Sequence, residues 1–296
     1  MSRPDPKILQ APAHLKMDFH VFLAVLLAAA LHAGWNLIIK LDLDRFLALF
    51  LIQTLMGLMG LAMLFAFPLA APASWPYALA SGVTHLGYYI FLAKSYRSGD
   101  LSQVYPIARG AAPLLTFVGA YALAGEVVKP VTALGIFLLV AGIWLIARAG
   151  NRALKLDGMT LVFALGTSVF IAVYTLIDGL GGRASGSVSS YAALVFVIDA
   201  GILFVYGLAT RGVGILRQIA PSWKLGVLGA ALSASAYWIT IWAMSVAHIA
   251  AVAALRETGI FFVMVMSVLV LKEKVTPLRG LGGLVILAGA AALRLA

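Results

Sequence analysis

Two arginines occur inside long apolar segments of this sequence, and an arginine in that setting is a group that can bind an anion. Arg109 lies in YPIARGAAPLLTFVGAYALAG, and Arg256 lies in AALRETGIFFVMVMSVLVL. A charged side chain at the centre of a bilayer costs roughly 2.5–3.5 kcal/mol on insertion scales, so it normally faces a partner or a wet cavity. We therefore expect both arginines to point inward. There the planar guanidinium could bind a carboxylate through two parallel hydrogen bonds.

Proline adds a second kind of polar group beside the first arginine. Pro113 has no N–H, so the carbonyl four residues back, that of Arg109, loses its helical donor. Pro106 has the same effect on Ser102. Bare carbonyls at membrane depth are tolerated only where protein or water meets them. An arginine beside free carbonyls could hold a zwitterion, whose carboxylate would bind the guanidinium and whose ammonium would bind the carbonyls.

The second arginine has a different setting. Glu257 follows Arg256 directly, and Ile260 stands where the first copy has its proline. We therefore interpret Arg256 as a gate or ion-pair residue and Arg109 as a substrate-binding residue. The alternative for Arg109 is a packing ion pair with Asp199 or Glu257.

The composition requires a membrane setting for these residues. The chain has 296 residues, of which 63% are hydrophobic and 11% are charged. A helix needs about 20 mostly apolar residues to cross a bilayer, and we count ten such runs separated by short connections. The sequence therefore predicts an all-α integral membrane protein with ten transmembrane helices. We expect it in the inner (plasma) membrane, with the lipid bilayer as its main partner.

The net charge of +10 does not indicate a nucleic-acid partner, because most basic residues lie at the ends of the apolar runs. The sequence has no cysteine, so disulfides and thiol chemistry are excluded. It also has no phosphate-binding loop of the ATPase type, no G-x-S-x-G motif and no cluster with metal-ligand spacing. We therefore expect no enzyme activity, no cofactor and no metal.

An internal repeat divides the chain into two halves. At one constant offset, Arg109, Glu126 and Pro130 fall on Arg256, Glu273 and Pro277. We expect an N-terminal tail (1–17), a first five-helix repeat (18–148), a linker (149–157) and a second five-helix repeat (158–296). Five is an odd number, so the second repeat enters the membrane in the opposite orientation, and binding sites in such proteins lie between the repeats. The fold prediction is therefore two inverted five-helix repeats around a central cavity.

Polar and aromatic side chains recur at helical spacing and favour a cavity over a lipid-facing surface. Tyrosine and tryptophan also anchor helices at the headgroup level, and a histidine in mid-helix can be purely structural. The expected substrate-binding residues are Trp35, Asn36, His85, Tyr88, Tyr89, Tyr105, Arg109, Tyr174, Tyr237 and Trp238. The expected gate or ion-pair residues are Arg256, Glu257, Asp199 and Asp178.

Glycines recur on one face of the fifth and tenth helices. Gly135 and Gly142 in the first repeat correspond to Gly282 and Gly289 in the second. Small residues on one face let helices approach closely. We expect these two helices to form a fixed seam away from the cavity, which could also serve as a dimer surface, in a monomer or weak homodimer.

The paired segments LAGEVVKPVTALGIFLLVAGIWLI (123–146) and VLKEKVTPLRGLGGLVILAGAAAL (270–293) resemble the EamA family of the drug/metabolite transporter superfamily. Each has a glutamate at a helix end, a proline shortly after it and a glycine-rich final helix. The resemblance implies a ten-helix secondary transporter working by alternating access. The aromatic cavity is similar to that expected in the branch that exports amino acids, including aromatic ones. The first helix has no acid, unlike the small drug antiporters of this superfamily, which puts proton-for-drug exchange through such an acid in doubt.

The functional hypothesis is export of amino acids or similar small zwitterionic metabolites. Its alternative is export of drugs or cationic metabolites, with possible coupling to a proton on Asp178, Asp199 or Glu257. A channel is a third reading, which the inverted repeat disfavours.

Overall fold

The computed structural model describes residues 17–39, 45–98, 101–150, 158–272 and 275–296, and these ranges form helices and turns without a strand. The predicted N-terminal tail and linker lie almost wholly outside the described residues. The helices are α1 Phe19–Ile39, α2 Arg45–Ala66, α3 Trp75–Ser98, α4 Leu101–Ala124, α5 Pro130–Gly150, α6 Gly158–Ala184, α7 Val188–Arg211, α8 Ile215–Ile219, α9 Trp223–Val246, α10 Ile249–Arg256, α11 Gly259–Leu271 and α12 Pro277–Leu295.

Nine helical stretches in the described ranges are long and apolar enough to cross a membrane. In this count α8 joins α9, and α10 joins α11. The remaining long helix, α3, has 24 residues but is more polar. Its polarity has a structural reason, because α3 packs against α6 and α7 in the interior of the bundle and carries His85 and Ser81, both buried. The predicted all-α membrane fold with ten helical spans is confirmed.

Residues with restricted or unusual backbone angles set the helix ends. Pro130 and Pro277 are the first residues of α5 and α12, where a missing N–H costs nothing and the fixed φ suits the helix. Gly125 follows α4 with φ 62°, and Gly212 follows α7 with φ 69°. This left-handed conformation is cheap for glycine and stops a helix. The proline and glycine signals in the sequence therefore mark real boundaries.

Several contacts between helices are symmetric: interchanging the two halves maps them onto contacts that are present. If the repeat mates are α1 with α6, α2 with α7 and α3 with α9, the α3–α6 contact should have a counterpart between α9 and α1, and it does. The α3–α7 contact likewise has its counterpart between α9 and α2. The α2–α7 and α5–α12 contacts map onto themselves. This pattern is the one expected of a pseudo-twofold axis that runs between the halves.

The fifth and tenth spans pack directly against each other through their glycines. A Cβ atom on Gly142 would lie 2.7 Å from the carbonyl oxygen of Gly282, and one on Gly135 would lie 3.0 Å from that of Gly289. Such approaches leave no room for a side chain, so the two backbones are in contact. The predicted packing of these two helices is confirmed.

Adding a single methyl group to this seam should destabilise the protein. In Gly282→Ala the new Cβ would meet the Gly142 oxygen at 2.9 Å and the Ile146 nitrogen at 3.0 Å. Backbone atoms cannot move aside cheaply, and overpacking typically costs about 1–3 kcal/mol. We expect a lower thermal unfolding temperature for the purified protein in detergent.

Gly280→Ala is the matched control, because it lies on the same helix and its Cβ would have its nearest neighbour, Val275 Cγ1, at 4.0 Å. Both changes gain the same helix propensity of about 1 kcal/mol. Gly280→Ala should leave the unfolding temperature unchanged or raise it. Equal effects of the two substitutions would contradict the close packing of α5 on α12.

The two arginine-bearing spans differ in a way that the sequence did not predict. The fourth span is one continuous helix, α4, even though Pro113 lies inside it. The ninth span is broken, because α10 ends at Arg256 and α11 begins at Gly259. Glu257 N–H bonds to Ala254 O and Thr258 N–H bonds to Leu255 O, both at 3.0 Å. The chain therefore tightens into a turn at the point where the charged pair occurs.

Candidate functional site

A cavity of about 770 Å³, counted to its open mouth, lies between the two halves. Helices α1 to α4 line it from the first half, and α6, α7, α9 and α10 line it from the second. The polar and aromatic side chains on its wall are His32, Trp35, Gln53, His85, Tyr88, Tyr89, Arg109, Tyr174, Asp199, Ser233, Tyr237, Thr240 and Arg256.

Most of the residues that the sequence singled out lie on this wall. From the expected substrate-binding set, these are Trp35, His85, Tyr88, Tyr89, Arg109, Tyr174 and Tyr237. From the expected gate set, these are Asp199 and Arg256. His32 lies on the stripe of α1 that was expected to face the cavity, and the sequence did not single out Gln53, which also lies on the wall. The binding of substrate by any of them stays a prediction.

The structure does not place two of the expected substrate residues on the cavity. The side chain of Asn36 donates to the backbone oxygen of His32, one turn earlier in α1, at 2.7 Å. Trp238 donates its indole N–H to Ser189 Oγ at 3.2 Å and packs edge-on against Phe67. Helical spacing identified the correct helices but not the side on which these two residues lie. The side chain of Tyr105 lies outside the part of the chain that the structure describes.

The two arginines share one buried glutamate. Arg109 Nε lies 2.8 Å from Glu257 Oε2, and Arg256 Nη2 lies 4.0 Å from Glu257 Oε1. All three side chains are buried, and Glu257 is only 1% exposed. The closer ion pair therefore belongs to Arg109, and its partner is Glu257, one of the two partners named in the ion-pair alternative for this residue. The order of distances is opposite to the expectation that Arg256 would be the ion-paired arginine.

The break in the ninth span holds this cluster in place. Arg256 ends α10, and Glu257 and Thr258 form the turn before α11. Gly259 begins α11 so close to α1 that a Cβ there would lie 3.3 Å from the oxygen of Ala29. Irregular backbone at membrane depth is tolerated where it is buried in protein or lines a cavity.

A carboxylate from the second half forms another polar cluster on the cavity wall. Asp199 on α7 is 4% exposed. Its Oδ2 atom accepts hydrogen bonds from Gln53 Nε2 at 2.7 Å and from the Tyr89 hydroxyl at 2.9 Å. The Gln53 amide also contacts the Tyr89 hydroxyl. The other oxygen, Oδ1, is buried and has no hydrogen-bond partner among the described residues.

An aromatic group surrounds His85. Its ring stacks on Tyr174 with centroids 4.1 Å apart and meets Tyr237 edge-on at 5.7 Å. The Tyr237 hydroxyl lies 3.3 Å from His85 Nε2 and also donates to Asp178. Asp178 is fully buried behind this wall and accepts a second hydrogen bond, of 3.1 Å, from Tyr191. Asp178 therefore positions Tyr237, and within the described residues it has hydrogen-bond partners instead of an ion pair.

A second buried ion cluster joins the ends of three helices away from the cavity. Glu126, just after α4, is 2% exposed, and its Oε1 lies 2.6 Å from Arg183 Nη2 on α6. Its two oxygens also accept the N–H groups of Ile249 at 2.8 Å and Ala250 at 3.3 Å. These are among the first N–H groups of α10, which have no partner within the helix. Glu126 therefore ties the first half to the start of the broken span.

His248 lies beside this cluster, between α9 and α10. Burial lowers the pKa of His248, the Glu126 carboxylate opposes this shift, and Arg183 adds to it. The ring is therefore neutral at pH 7. Sequence analysis identified Glu126 only as a marker of the repeat. The available signal for a structural role was the lone acid at a helix end, and Arg183 could be found as its partner only in three dimensions.

Removing the charge of Glu126 should destabilise the protein strongly. In Glu126→Gln, Arg183 would stay buried without its carboxylate, and breaking a buried pair typically costs about 3–5 kcal/mol. We expect a large fall in the thermal unfolding temperature in detergent. The double variant Glu126→Gln/Arg183→Met should lose less than the sum of the two single changes, because the partners interact directly.

Lys129→Ala is the control for this loop. Lys129 is exposed and bonds only to the terminal oxygen of Ala296 at 2.7 Å among the contacts described. An exposed contact of this kind should change stability by less than about 0.5 kcal/mol. Additive losses for Glu126 and Arg183 would count against a coupled buried pair.

A bundle of ten spans, with a polar cavity between two halves related by exchange, is the architecture of a multi-pass membrane transporter. Comparison with known proteins gives the particular family. The model of the EamA-like transporter family matches residues 20–148, which is nearly all of the first repeat. The match supports the EamA-like transporter family predicted from the sequence and is consistent with the drug/metabolite transporter superfamily.

A solved crystal structure has the same fold over nearly the whole chain. It superposes with a TM-score of 0.73 at 16% sequence identity, and the match covers 93% of this chain and 96% of the other. At that identity the likeness supports the fold of both halves and nothing about the solute. No curated protein matches the sequence.

Proposed function

We propose that the protein exports amino acids, including aromatic ones, or similar small zwitterionic metabolites across the inner membrane by alternating access. The observation that carries this proposal is the pair of buried arginines on the cavity wall with one glutamate between them. Two guanidinium groups and one carboxylate leave one positive charge to be balanced. A substrate carboxylate is suited to that place, because the guanidinium fork accepts it bidentately.

The distances to Glu257 support different roles for the two arginines. Arg109 is held by Glu257 at 2.8 Å, whereas Arg256 lies 4.0 Å from the same residue. Arg256 therefore has the guanidinium that is less engaged by Glu257 and is better suited to meet the solute first. Arg109 adds positive potential and fixes Glu257. Both arginines take part in recognition in this proposal, with Arg256 in the leading role.

The aromatic wall supports a solute with an apolar side chain. His85, Tyr88, Tyr174 and Tyr237 form a continuous group of rings with centroid distances of 4.1–6.5 Å. Aromatic rings pack favourably against one another at such distances. An aromatic or large aliphatic side chain would extend this group while its carboxylate binds near the arginines.

The alternative function, export of drugs or cationic metabolites, rests on Asp199. Its carboxylate reaches the same cavity and could attract a cation or carry a proton. The two arginines oppose that reading, because they would repel a cation that lacks a carboxylate. The charge of the transported solute discriminates the two functions.

Counterflow in proteoliposomes tests the proposal directly. Vesicles containing the purified protein are loaded with one unlabelled amino acid at a time, and uptake of the same labelled amino acid is followed. We expect accumulation above protein-free vesicles for amino acids with apolar or aromatic side chains. Arg256→Ala should reduce this uptake by roughly 10- to 100-fold, because a hydrogen bond to a charged group is typically worth about 1.5–3 kcal/mol.

Arg217→Ala is the control, since Arg217 is exposed on the short connector α8. It removes the same charge far from the cavity and should leave uptake unchanged. If the folded wild-type protein accumulates cationic drugs and no amino acid, the alternative function replaces the proposed one.

The pairing of Arg109 with Glu257 predicts a recovery of stability. Arg109→Gln alone would leave Glu257 buried without its closest cation, at a typical cost of about 3–5 kcal/mol. The double variant Arg109→Gln/Glu257→Gln removes both charges and should recover most of the unfolding temperature. Its counterflow of amino acids should still be weaker than that of the wild type. Full uptake by a stable double variant would exclude Arg109 from recognition.

A further inference from the structure

We infer that Asp199 is the ammonium-binding subsite of the cavity, with its Oδ1 atom as the acceptor and with Gln53 and Tyr89 as the residues that position it. The inference rests on the proposed transport of zwitterions and adds a specificity-determining residue to it. It also restricts the substrate class to solutes that carry both a carboxylate and an ammonium group.

The hydrogen bonds of Asp199 are distributed unevenly. Oδ2 receives both the Gln53 amide at 2.7 Å and the Tyr89 hydroxyl at 2.9 Å. Oδ1 receives no hydrogen bond from the described residues, although it is buried. Leaving a buried polar atom unsatisfied is costly, and most such atoms in native structures have a partner. A buried acceptor that is held in position without a partner, on a residue that lines the cavity, indicates a donor that arrives with the solute.

The neighbours of Asp199 can orient its carboxylate through hydrogen bonds without cancelling its negative charge. Gln53 and Tyr89 are neutral donors on α2 and α3, so they hold the carboxylate without neutralising it. An ammonium group supplies both the missing positive charge and up to three N–H donors. A neutral hydroxyl would satisfy Oδ1 but would leave the negative charge uncompensated inside the membrane.

The charged side chains around the cavity sum to zero, so a solute with a net charge would leave an unbalanced charge. Arg109 and Arg256 contribute two positive charges, and Glu257 and Asp199 contribute two negative ones. A zwitterion leaves this sum at zero, whereas a simple cation or a simple anion adds an unbalanced charge to a low-dielectric site. The arginine cluster lies on α4 and at the end of α10, and Asp199 lies on α7. The two charged poles are therefore carried by different helices that line the same cavity.

The other two membrane acids are less suited to this role. Glu257 already has the Arg109 guanidinium at 2.8 Å. Both oxygens of Asp178 accept tyrosine hydroxyls, and this residue is absent from the cavity wall among the described residues. Asp199 alone combines a position on the wall with an unsatisfied oxygen.

The subsite also crosses the interface between the halves. Gln53 and Tyr89 come from the first repeat, and Asp199 comes from the second. Binding an ammonium at Oδ1 therefore adds a contact at a point where helices of both repeats already meet. If one repeat rocks against the other during transport, the bound ammonium would add a contact at the interface that moves.

The test compares two solutes that differ only in the ammonium group. Counterflow of labelled phenylalanine is competed with unlabelled phenylalanine or with 3-phenylpropanoate, which keeps the ring and the carboxylate. Wild-type protein should prefer phenylalanine by roughly 10- to 100-fold. In Asp199→Asn this preference should fall to within about threefold. A neutral amide binds an ammonium only a little better than it binds no partner, so it distinguishes the two solutes weakly.

Asp199→Glu and Asp199→Gln give a second comparison at equal side-chain length, for use if Asp199→Asn does not fold. The glutamate variant should keep a preference for phenylalanine, and the glutamine variant should lose it. Asp18→Asn is the charge control, because Asp18 is exposed at the start of α1. It should behave as the wild type does.

The outcomes distinguish a failure of the proposed function from a failure of the Asp199 subsite. Absence of amino-acid counterflow in the wild type would overturn the proposed function itself. Amino-acid counterflow with an unchanged preference in Asp199→Asn, or in both the Glu and Gln variants, would overturn the Asp199 subsite alone. Equal competition by 3-phenylpropanoate in the wild type, with uptake that depends on sodium, would mean that Oδ1 binds an inorganic cation, and this also overturns the inference.

Discussion

The structure depends on the high cost of an unpaired charge inside a membrane. Of the charged side chains in the described core, Arg109, Glu257 and Arg256 form one group, and Glu126 with Arg183 forms another. Both groups join the two halves of the chain, because Arg109 and Glu126 come from the first repeat and their partners come from the second. Ion pairing therefore fixes how the repeats meet at two separate places, and Asp199 is a buried carboxylate outside both groups with an oxygen that accepts no hydrogen bond from the described residues.

Close backbone contact and polar contact divide the bundle into two kinds of interface. Along α5 and α12, glycine backbones touch, and their separation has no room to change without a clash. Around the cavity, the contacts are hydrogen bonds and ring packing between side chains, which can be exchanged for contacts with a solute. The proposed alternating access would use both kinds, with the close backbone interface held while the polar one rearranges.

Periodicity and repetition in the sequence were enough to predict the fold. Ten apolar runs, the proline and glycine boundaries and the glycine faces of the fifth and tenth spans each have a local physical cause, and each is present in the structure. The cavity wall was predicted in large part because polar residues at helical spacing are too costly to face lipid. Asn36 and Trp238 show the limit of that argument, since a side chain can satisfy itself on its own helix or against a neighbour. The partners Gln53–Asp199 and Glu126–Arg183 are far apart in sequence and could not be read from spacing.

The break in the ninth span was the main feature that the sequence did not reveal, and its charges explain why it is stable. The helix α10 has only eight residues, well below the length at which an isolated helix is stable in water. Glu126 accepts its first N–H groups, and Arg256 stands in its last turn. A negative group at the N-terminus and a positive group at the C-terminus both oppose the helix dipole favourably. Proline leaves α4 continuous, because a proline costs a helix about one hydrogen bond, whereas a break frees backbone groups at both new ends. At α10, Glu126 of the first repeat accepts N–H groups at the start of the helix, and a tight turn packed on α1 follows its end. The asymmetry between the two repeats therefore lies in this turn, where Glu257 stands between the two arginines.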